Sequence, residues 1–253
     1  LNVNIDNISM TYHTLKGETS ALKNINFKVN EGEFISIIGP SGCGKSTVLN
    51  IISGLIHPTS GNVYIGTNKI EKPTNSIGYM FQKDHLFPWL TVWDNVCLGL
   101  KIKNKLDDSS VDYITNLLKK YDLWGFKDFF PSELSGGMRQ RAALIRTLAL
   151  NPKVLLLDEP FSALDYQTRL NISDEIYEII KRENKTTIMV THDIAEAISM
   201  SDRLILLTPR PATINKNLEI KFDNKYNTPL KRREAPNFST YFNLFWKELN
   251  SYE

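Results

Sequence analysis

Cysteine is nearly absent: Cys43 and Cys97 are the only two in 253 residues. Two thiols make no disulfide framework, which argues against a stapled secreted scaffold and suits a reducing compartment. An excess of charge of one sign is missing too, since 30 Lys and Arg face 28 Asp and Glu and leave a formal net charge of +2. No global field therefore holds nucleic acid or anionic lipid, and any such contact has to be local. Long apolar runs are also lacking. Stretches such as Phe34–Ile38 and Val154–Leu157 fall far short of the ~20 residues that a membrane helix needs. The opening residues show no basic segment followed by an apolar core, so the expectation is a soluble protein. Internal repeats and sustained heptads are absent as well. What is present is a hydrophobic share of 42% against 23% charged, a balance that excludes disorder and supports a core for one large domain or two modest ones.

Short apolar runs recur at Phe34–Ile38, Val154–Leu157, Ile188–Val190 and Leu204–Leu207, bounded by Gly, Pro or polar residues. That pattern predicts strands buried on both faces, as in a parallel sheet. Helices are expected at Lys45–Ser53, Arg139–Leu150, Thr168–Lys181 and Ile194–Met200, so strand and helix alternate in the manner of α/β folds. The first part has another texture. Asn4–Met10, Leu22–Val29 and Gly61–Ile65 read as strands of a smaller antiparallel or mixed sheet, with turns at Lys16–Gly17, Glu31–Gly32 and Ser60–Gly61. Ile77 to about Phe130 reads as mainly helical with a polar break at Asn104–Ser110. After Leu207 a Pro-containing, partly basic tail ends in the amphipathic stretch Phe238–Leu249.

Gly39, Pro40, Ser41, Gly42, Cys43, Gly44, Lys45, Ser46 and Thr47 follow an expected strand, open an expected helix and fit G-x-x-x-x-G-K-[ST]. Glycines let successive N–H groups curl inward, and the helix N-terminus adds roughly half a positive charge toward bound phosphates. In that reading Lys45 reaches the β and γ phosphates and the Ser46 hydroxyl ligates Mg²⁺. Val154–Leu157 runs into Asp158 and Glu159. Bare carboxylates are costly to bury, so acids at the carboxyl end of a strand point to a cation or a proton transfer. Asp158 suits Mg²⁺, directly or through water, and Glu159 suits polarising an attacking water. Taken alone the pair also fits a solvated acidic turn; the phosphate loop upstream favours the chemical reading. Ser135, Gly136 and Gly137 precede a helix and form a second potential anion cradle. One nucleotide needs one cradle, so the second makes sense facing the nucleotide of another copy.

With Leu134, Ser135, Gly136 and Gly137 beside a phosphate loop, the sequence resembles the ATP-binding subunits of ABC transporters from Val3 to about Ile214. The resemblance implies an α/β P-loop NTPase of ABC type as a single domain over 1–253. Its parts are a mainly parallel core sheet with helices, an N-terminal antiparallel β subdomain, a helical subdomain over about 83–150 and a C-terminal tail over about 209–253. It also implies a head-to-tail homodimer with two ATP molecules, each between the phosphate loop of one subunit and Ser135–Gly137 of the other. Gln82 is similar to the glutamine that contacts Mg²⁺ or the attacking water and senses the membrane partner. His192 is similar to the histidine that holds the γ-phosphate, Ser162–Asp165 to the loop that crosses the dimer interface, and Tyr12 to the aromatic that stacks on adenine. As isolated residues, His192 reads as a capping or solvated side chain and Tyr12 as cross-strand packing. Met138 stands where the family most often has Gln. Together with Leu86–Asn95 and Thr208–Ile214 it resembles the nitrate/sulfonate/taurine importer branch.

The functional expectation is an ATPase subunit, using Glu159, His192 and Lys45, that energises an importer. The resemblance implies ATP and Mg²⁺ as ligands, separate transmembrane permease subunits, a solute-binding protein engaged indirectly, no nucleic acid, and a peripheral place on the cytoplasmic face of the cell membrane. The solute expected is small, of the nitrate, sulfonate or taurine kind. The alternative is a soluble ABC ATPase acting on DNA or ribosomes, whose usual coiled-coil insertions or paired cassettes are absent here. Leu86–Leu90 reads either as core of the helical subdomain or as a groove for a helix of the membrane partner, with Leu86 and Leu90 inward and Phe87 or Trp89 outward. Lys231, Arg232 and Arg233 read as a solvated tail or as a contact for a membrane surface or an acidic partner.

Overall fold

Side chains alternate across a strand, so an all-apolar strand feeds two cores at once. The computed structural model, which describes residues 2–15 and 17–252, is built on that alternation. Strands β3 (Phe34–Ile38), β6 (Ile77–Met80), β7 (Val154–Asp158), β8 (Thr186–Val190) and β9 (Arg203–Leu207) run parallel, and β10 (Ile214–Glu219) lies antiparallel on β9. Their order is β10-β9-β3-β8-β7-β6. From β7, Val154 and Leu156 enter one core while Leu155 and Leu157 enter the other.

The first core is shared with the four-stranded antiparallel sheet, order β2-β1-β4-β5, of β1 (Val3–Thr14), β2 (Gly17–Val29), β4 (Ser60–Ile65) and β5 (Asn68–Lys69). Helix α1 (Lys45–Ile52) lies in the same cluster through Val48, Leu49, Ile51 and Ile52. The turn expected at Lys16–Gly17 includes Lys16, which lies outside the described residues. The second core holds α2 (Val92–Ile102), α3 (Asp108–Lys120), α4 (Gly136–Leu148) and α5 (Tyr166–Arg182) against the opposite face. A third cluster joins Ile38, Leu204 and Leu206 to α6 (Ile194–Met200) and α8 (Phe238–Asn250).

Two expectations are corrected. The segment from Ile77 does not open as helix: Ile77–Met80 is a strand in register with Val154–Leu157, and helix begins only at Val92. Four residues are too short to show a period, and Gly78 is required because a Cβ there would stand 2.5 Å from Thr147 Cγ2 and 2.9 Å from Pro152 Cγ. After Leu207 the chain adds β10, then α7 (Pro229–Arg233) and α8, and returns to the core. Lys231 alone of its basic cluster is exposed; Arg232 and Arg233 are half-buried.

Phe245 of α8 is fully buried, whereas Trp246 beside it is 52% exposed. Phe245→Ala is therefore expected to lower the unfolding free energy by about 3–5 kcal/mol. Trp246→Ala, removing a surface ring stacked on Phe242, should cost less than about 1.5 kcal/mol. Urea unfolding of both variants checks the contrast, and equal small losses would show that α8 is not part of the folded unit.

Candidate active site

Parallel strands end on one edge of a sheet, and there the loops that follow them meet. The pairings Ile37 with Val190, Asp158 with Val190 and Met80 with Leu157 bring four loops to that edge. They are Gly39–Gly44 after β3, Phe81–Gln82 after β6, Glu159 after β7 and Thr191–Asp193 after β8. Within the first loop Gly42 and Gly44 take φ of 72° and 120°, where side chains are strained, and a Cβ on Gly44 would stand 2.8 Å from Leu22 Cδ2. Lys45, 7% exposed, donates from Nζ to the carbonyls of Gly39 at 2.8 Å and Pro40 at 3.0 Å. Pro40 also accepts the Cys43 N–H, and the buried Cys43 thiol is pushed up by desolvation. Ser41 stays exposed on the loop's outer side. Strand β1 brings Tyr12 to the loop: its hydroxyl lies 3.2 Å from Thr47 Oγ1.

Asp158 collects contacts from separate elements. Ser46 donates to its Oδ1 at 3.1 Å and Tyr79 to its Oδ2 at 3.2 Å. Burial pushes its carboxyl above the usual range; those two hydrogen bonds pull it down, the charge of Glu159 adds to the rise and Lys45 opposes it. Tyr79 is held far above the ordinary phenol value by burial and then by the Asp158 charge, so it remains a donor. Hydroxyl and carboxylate oxygens side by side make a hard donor set that fits a magnesium ion.

Glu159 adopts φ 46°, a left-handed conformation unusual for a side chain of this size. Such backbone costs of order 1–3 kcal/mol and persists where the surroundings over-determine it. Here the Glu159 N–H donates to Val190 O at 2.8 Å, while its own carbonyl accepts from the N–H and the hydroxyl of Ser162. The reversal brings its carboxylate to the two neighbouring loops. Gln82 Nε2 donates to Glu159 Oε2 at 3.2 Å, and His192 Nδ1 lies 3.1 Å from the same oxygen.

Ser135, Gly136 and Gly137 stand apart from this cluster, and among the described residues no polar contact joins them to it. Ser135 caps α4 by accepting the Met138 N–H at 3.2 Å. Gly137 permits close approach of α5, since a Cβ would come within 2.4 Å of Ile172 Cδ1. The three line a concavity of about 370 Å³ together with Ala163–Asp165 and α5. Two contacts escaped the sequence reading. Tyr79 was visible only as a neighbour of Gln82, and Arg210, whose Nε donates to Gly42 O, lies 168 residues away from its partner with no local signal.

Comparison with known proteins identifies the family. The family described as ABC transporter matches residues 22–162. The uncharacterized ABC transporter ATP-binding protein YtlC of Bacillus subtilis (strain 168) is 47% identical over 99% of this chain and 96% of its own length. The aliphatic sulfonates import ATP-binding protein SsuB of Bacillus cereus (strain ZK / E33L) is 42% identical, covering 87% of each. A dimeric structure of the ATP-binding cassette MJ0796 in a post-hydrolysis state, bound to ADP and Pi, superposes with a TM-score of 0.73 at 35% identity, over 87% of this chain and 100% of that one. The chain belongs to the ABC transporter family and is an ABC-type ATPase.

Proposed function

We propose that this ATPase energises an importer of a small solute of the sulfonate, nitrate or taurine kind, through separate permease subunits at the cytoplasmic face of the membrane, with a solute-binding protein engaged indirectly. The catalytic reading rests on one observation: Gln82 and His192 converge on a single oxygen of Glu159, beside the Ser46–Asp158 pair. Glu159 takes the proton of a water as its oxygen attacks the γ-phosphorus and the bond to the bridging oxygen of ADP breaks. Gln82 and His192 orient that water and carboxylate, and His192, 59% exposed at its side chain, remains accessible to the γ-phosphate. Lys45 keeps one ammonium hydrogen beyond its two carbonyl bonds and offers it, with the loop amides, to the phosphates. Ser46, Asp158 and Gln82 are the residues that would hold Mg²⁺. The ion, when bound, neutralises phosphate charge. Tyr12, 37% exposed beside Thr47, presents a ring for adenine.

The active unit is a homodimer. Ser135–Gly137 form an anion cradle at the N-terminus of α4, in a different concavity from the phosphate loop, so each completes the nucleotide site of a second copy. The permease reading is supported by an apolar groove of about 510 Å³ lined by Tyr79, Phe81, His85, Phe87, Leu98 and Ile102, among others. Leu86 is buried in the helical core while Phe87 and Trp89 are exposed, which suits a helix seated in that groove. Likeness to a sulfonate import protein supports the solute class, and no helix among the described residues is long and apolar enough to cross a membrane.

Glu159→Gln keeps the shape and removes the base. ATP binding should survive while hydrolysis falls by about 10²–10⁴-fold; phosphate release and nucleotide binding measured on one preparation check both, and wild-type turnover would sink the assignment. Glu159→Gln with ATP should sediment as a dimer. Adding Ser135→Arg should return it to monomer without loss of ATP affinity, and a persistent ATP-induced dimer would remove Ser135 from the partner's site.

A further inference from the structure

Arg232 and Arg233 of the basic cluster near the C-terminus are half-buried, and Arg232 is bonded to the two helices that follow catalytic loops. Two of those loops are the leading ends of helices. Asp165 caps α5 and closes the Ser162–Asp165 loop, and Asp193 caps α6 one residue after His192. Between the two starts, Arg169 of α5 donates to Leu164 O at 3.0 Å and to Asp193 Oδ2 at 3.5 Å.

Helix α7 bridges the same pair of helices farther along. Leu230 N–H donates to Asp174 Oδ1 of α5 at 2.9 Å. Arg232 donates from Nη1 to Ser199 O at 3.0 Å and Ser201 O at 3.4 Å, at the end of α6, and from Nη2 to Tyr177 OH of α5 at 2.8 Å. Its guanidinium carbon also stands 5.0 Å from the Tyr177 ring and 5.6 Å from the Phe222 ring. A cation at the carboxyl end of a helix is favourable in itself; a fork that reaches two helices at once also fixes their separation.

Glu196, in the first turn of α6, is 3% exposed. Burial pushes that carboxyl up to about 7; the Thr191 hydroxyl pulls it back, Asp193 adds to the rise, and Arg169 and Arg233 oppose it. The Thr191 hydroxyl in turn accepts the Asp193 N–H at 3.1 Å, so Glu196 is tied to the residues on both sides of His192. The Nε groups of Arg169 and Arg233 are buried without a hydrogen-bond partner, whereas the Nη groups of Arg169 are bonded to Leu164 O and Asp193 Oδ2.

We propose that α7 is a positioning clamp for ATP hydrolysis: Arg232 holds α5 and α6 in register and thereby places the Ser162–Asp165 and Thr191–Asp193 loops. The clamp rests on the reading of Glu159 and His192 given above. A helix of seven residues is about 10 Å long and stiff, so a shift at Ser199–Ser201 carries to His192. The phosphate loop lies on β3 and α1, to which α7 makes no hydrogen bond among the described residues, so nucleotide affinity does not depend on the clamp.

The test measures kcat, KM and equilibrium ATP binding for the full chain, well below each variant's melting temperature. Arg232→Ala should lower kcat by about 10- to 100-fold, the scale of ~1 Å misplacement, with KM and ATP affinity within about twofold of wild type. Added guanidinium ion should restore part of kcat, and Arg232→Lys, which cannot span three acceptors, should fall between. Lys231→Ala, exposed in the same helix, should behave as wild type. Tyr177→Phe deletes only the hydroxyl acceptor and serves where Arg232→Ala does not fold; it should lower kcat severalfold with KM unmoved. Unchanged kcat in a folded Arg232→Ala or in Tyr177→Phe overturns the clamp, as does a parallel loss of ATP affinity. Glu159→Gln, assayed alongside, separates the two readings. If it retains turnover the catalytic assignment fails; if it is inactive while Arg232→Ala turns over normally, the clamp alone fails.

Discussion

The site depends on a buried strand that runs out of apolar residues at the sheet edge. β7 carries Val154–Leu157 between two cores, and Asp158 is its first residue to leave full burial. A carboxyl in that place loses hydration, and its usual charge survives only if fixed partners replace the water. Those partners come from β6, as Tyr79, and from the first residues of α1, as Ser46 and Lys45. None is adjacent to Asp158 in the chain. The parallel register of β6, β7, β8 and β3 is what makes them neighbours, so the electrostatics of the site are a property of the sheet and not of any one motif.

That dependence explains what was legible from the residues. The phosphate loop, Asp158–Glu159 and Ser135–Gly137 are each contiguous residues with local geometry, so a short string carries the proposed chemistry. The strands of the central sheet were visible for a related reason: burial on both faces leaves an unbroken apolar run. The strand at Ile77–Met80 was hidden because it sits at the sheet edge, contains a glycine and is only four residues long. β10 was hidden because an edge strand with half its side chains in water reads Ile-Asn-Lys-Asn-Leu-Glu, in which β propensity is weak. Tyr79 and Arg210 act across the sheet or across 168 residues, and no window of sequence displays such a contact. The inward turn of Arg232 was illegible for the same reason, since a basic triplet is read as solvated until the acceptors of α5 and α6 are seen.

Glu159 is where the separate elements meet, and its geometry limits how they can move. Its Oε2 is shared by Gln82, on the loop after β6, and His192, on the loop after β8. The loop after Gln82 is in turn strapped to α4. Arg139 reaches Asp84 Oδ2 at 3.2 Å, and Arg146 donates to the carbonyls of Asp84 and His85 at 2.7 and 2.6 Å. Ser135 caps α4, so the side of the molecule with the proposed second cradle is mechanically continuous with one of the two groups on the Glu159 oxygen. The other group belongs to the body formed by α5, α6 and α7.

Two bodies therefore hold one oxygen atom between them. A hydrogen bond near 3.1 Å weakens steeply once donor and acceptor separate by a few tenths of an ångström beyond 3.5 Å, so a relative displacement of the bodies by about 1 Å is enough to release Gln82 or His192 from Glu159. The positive φ of Glu159 makes the carboxylate poor at following such a shift, because its backbone is already pinned through Val190 O on one side and Ser162 on the other. Nucleotide binding at the phosphate loop makes no comparable demand, since Lys45, Gly39 and Pro40 all move with β3 and α1. Under the proposed mechanism binding and hydrolysis are thereby separated: the first needs one rigid loop, and the second needs two helical bodies in register about a strained residue.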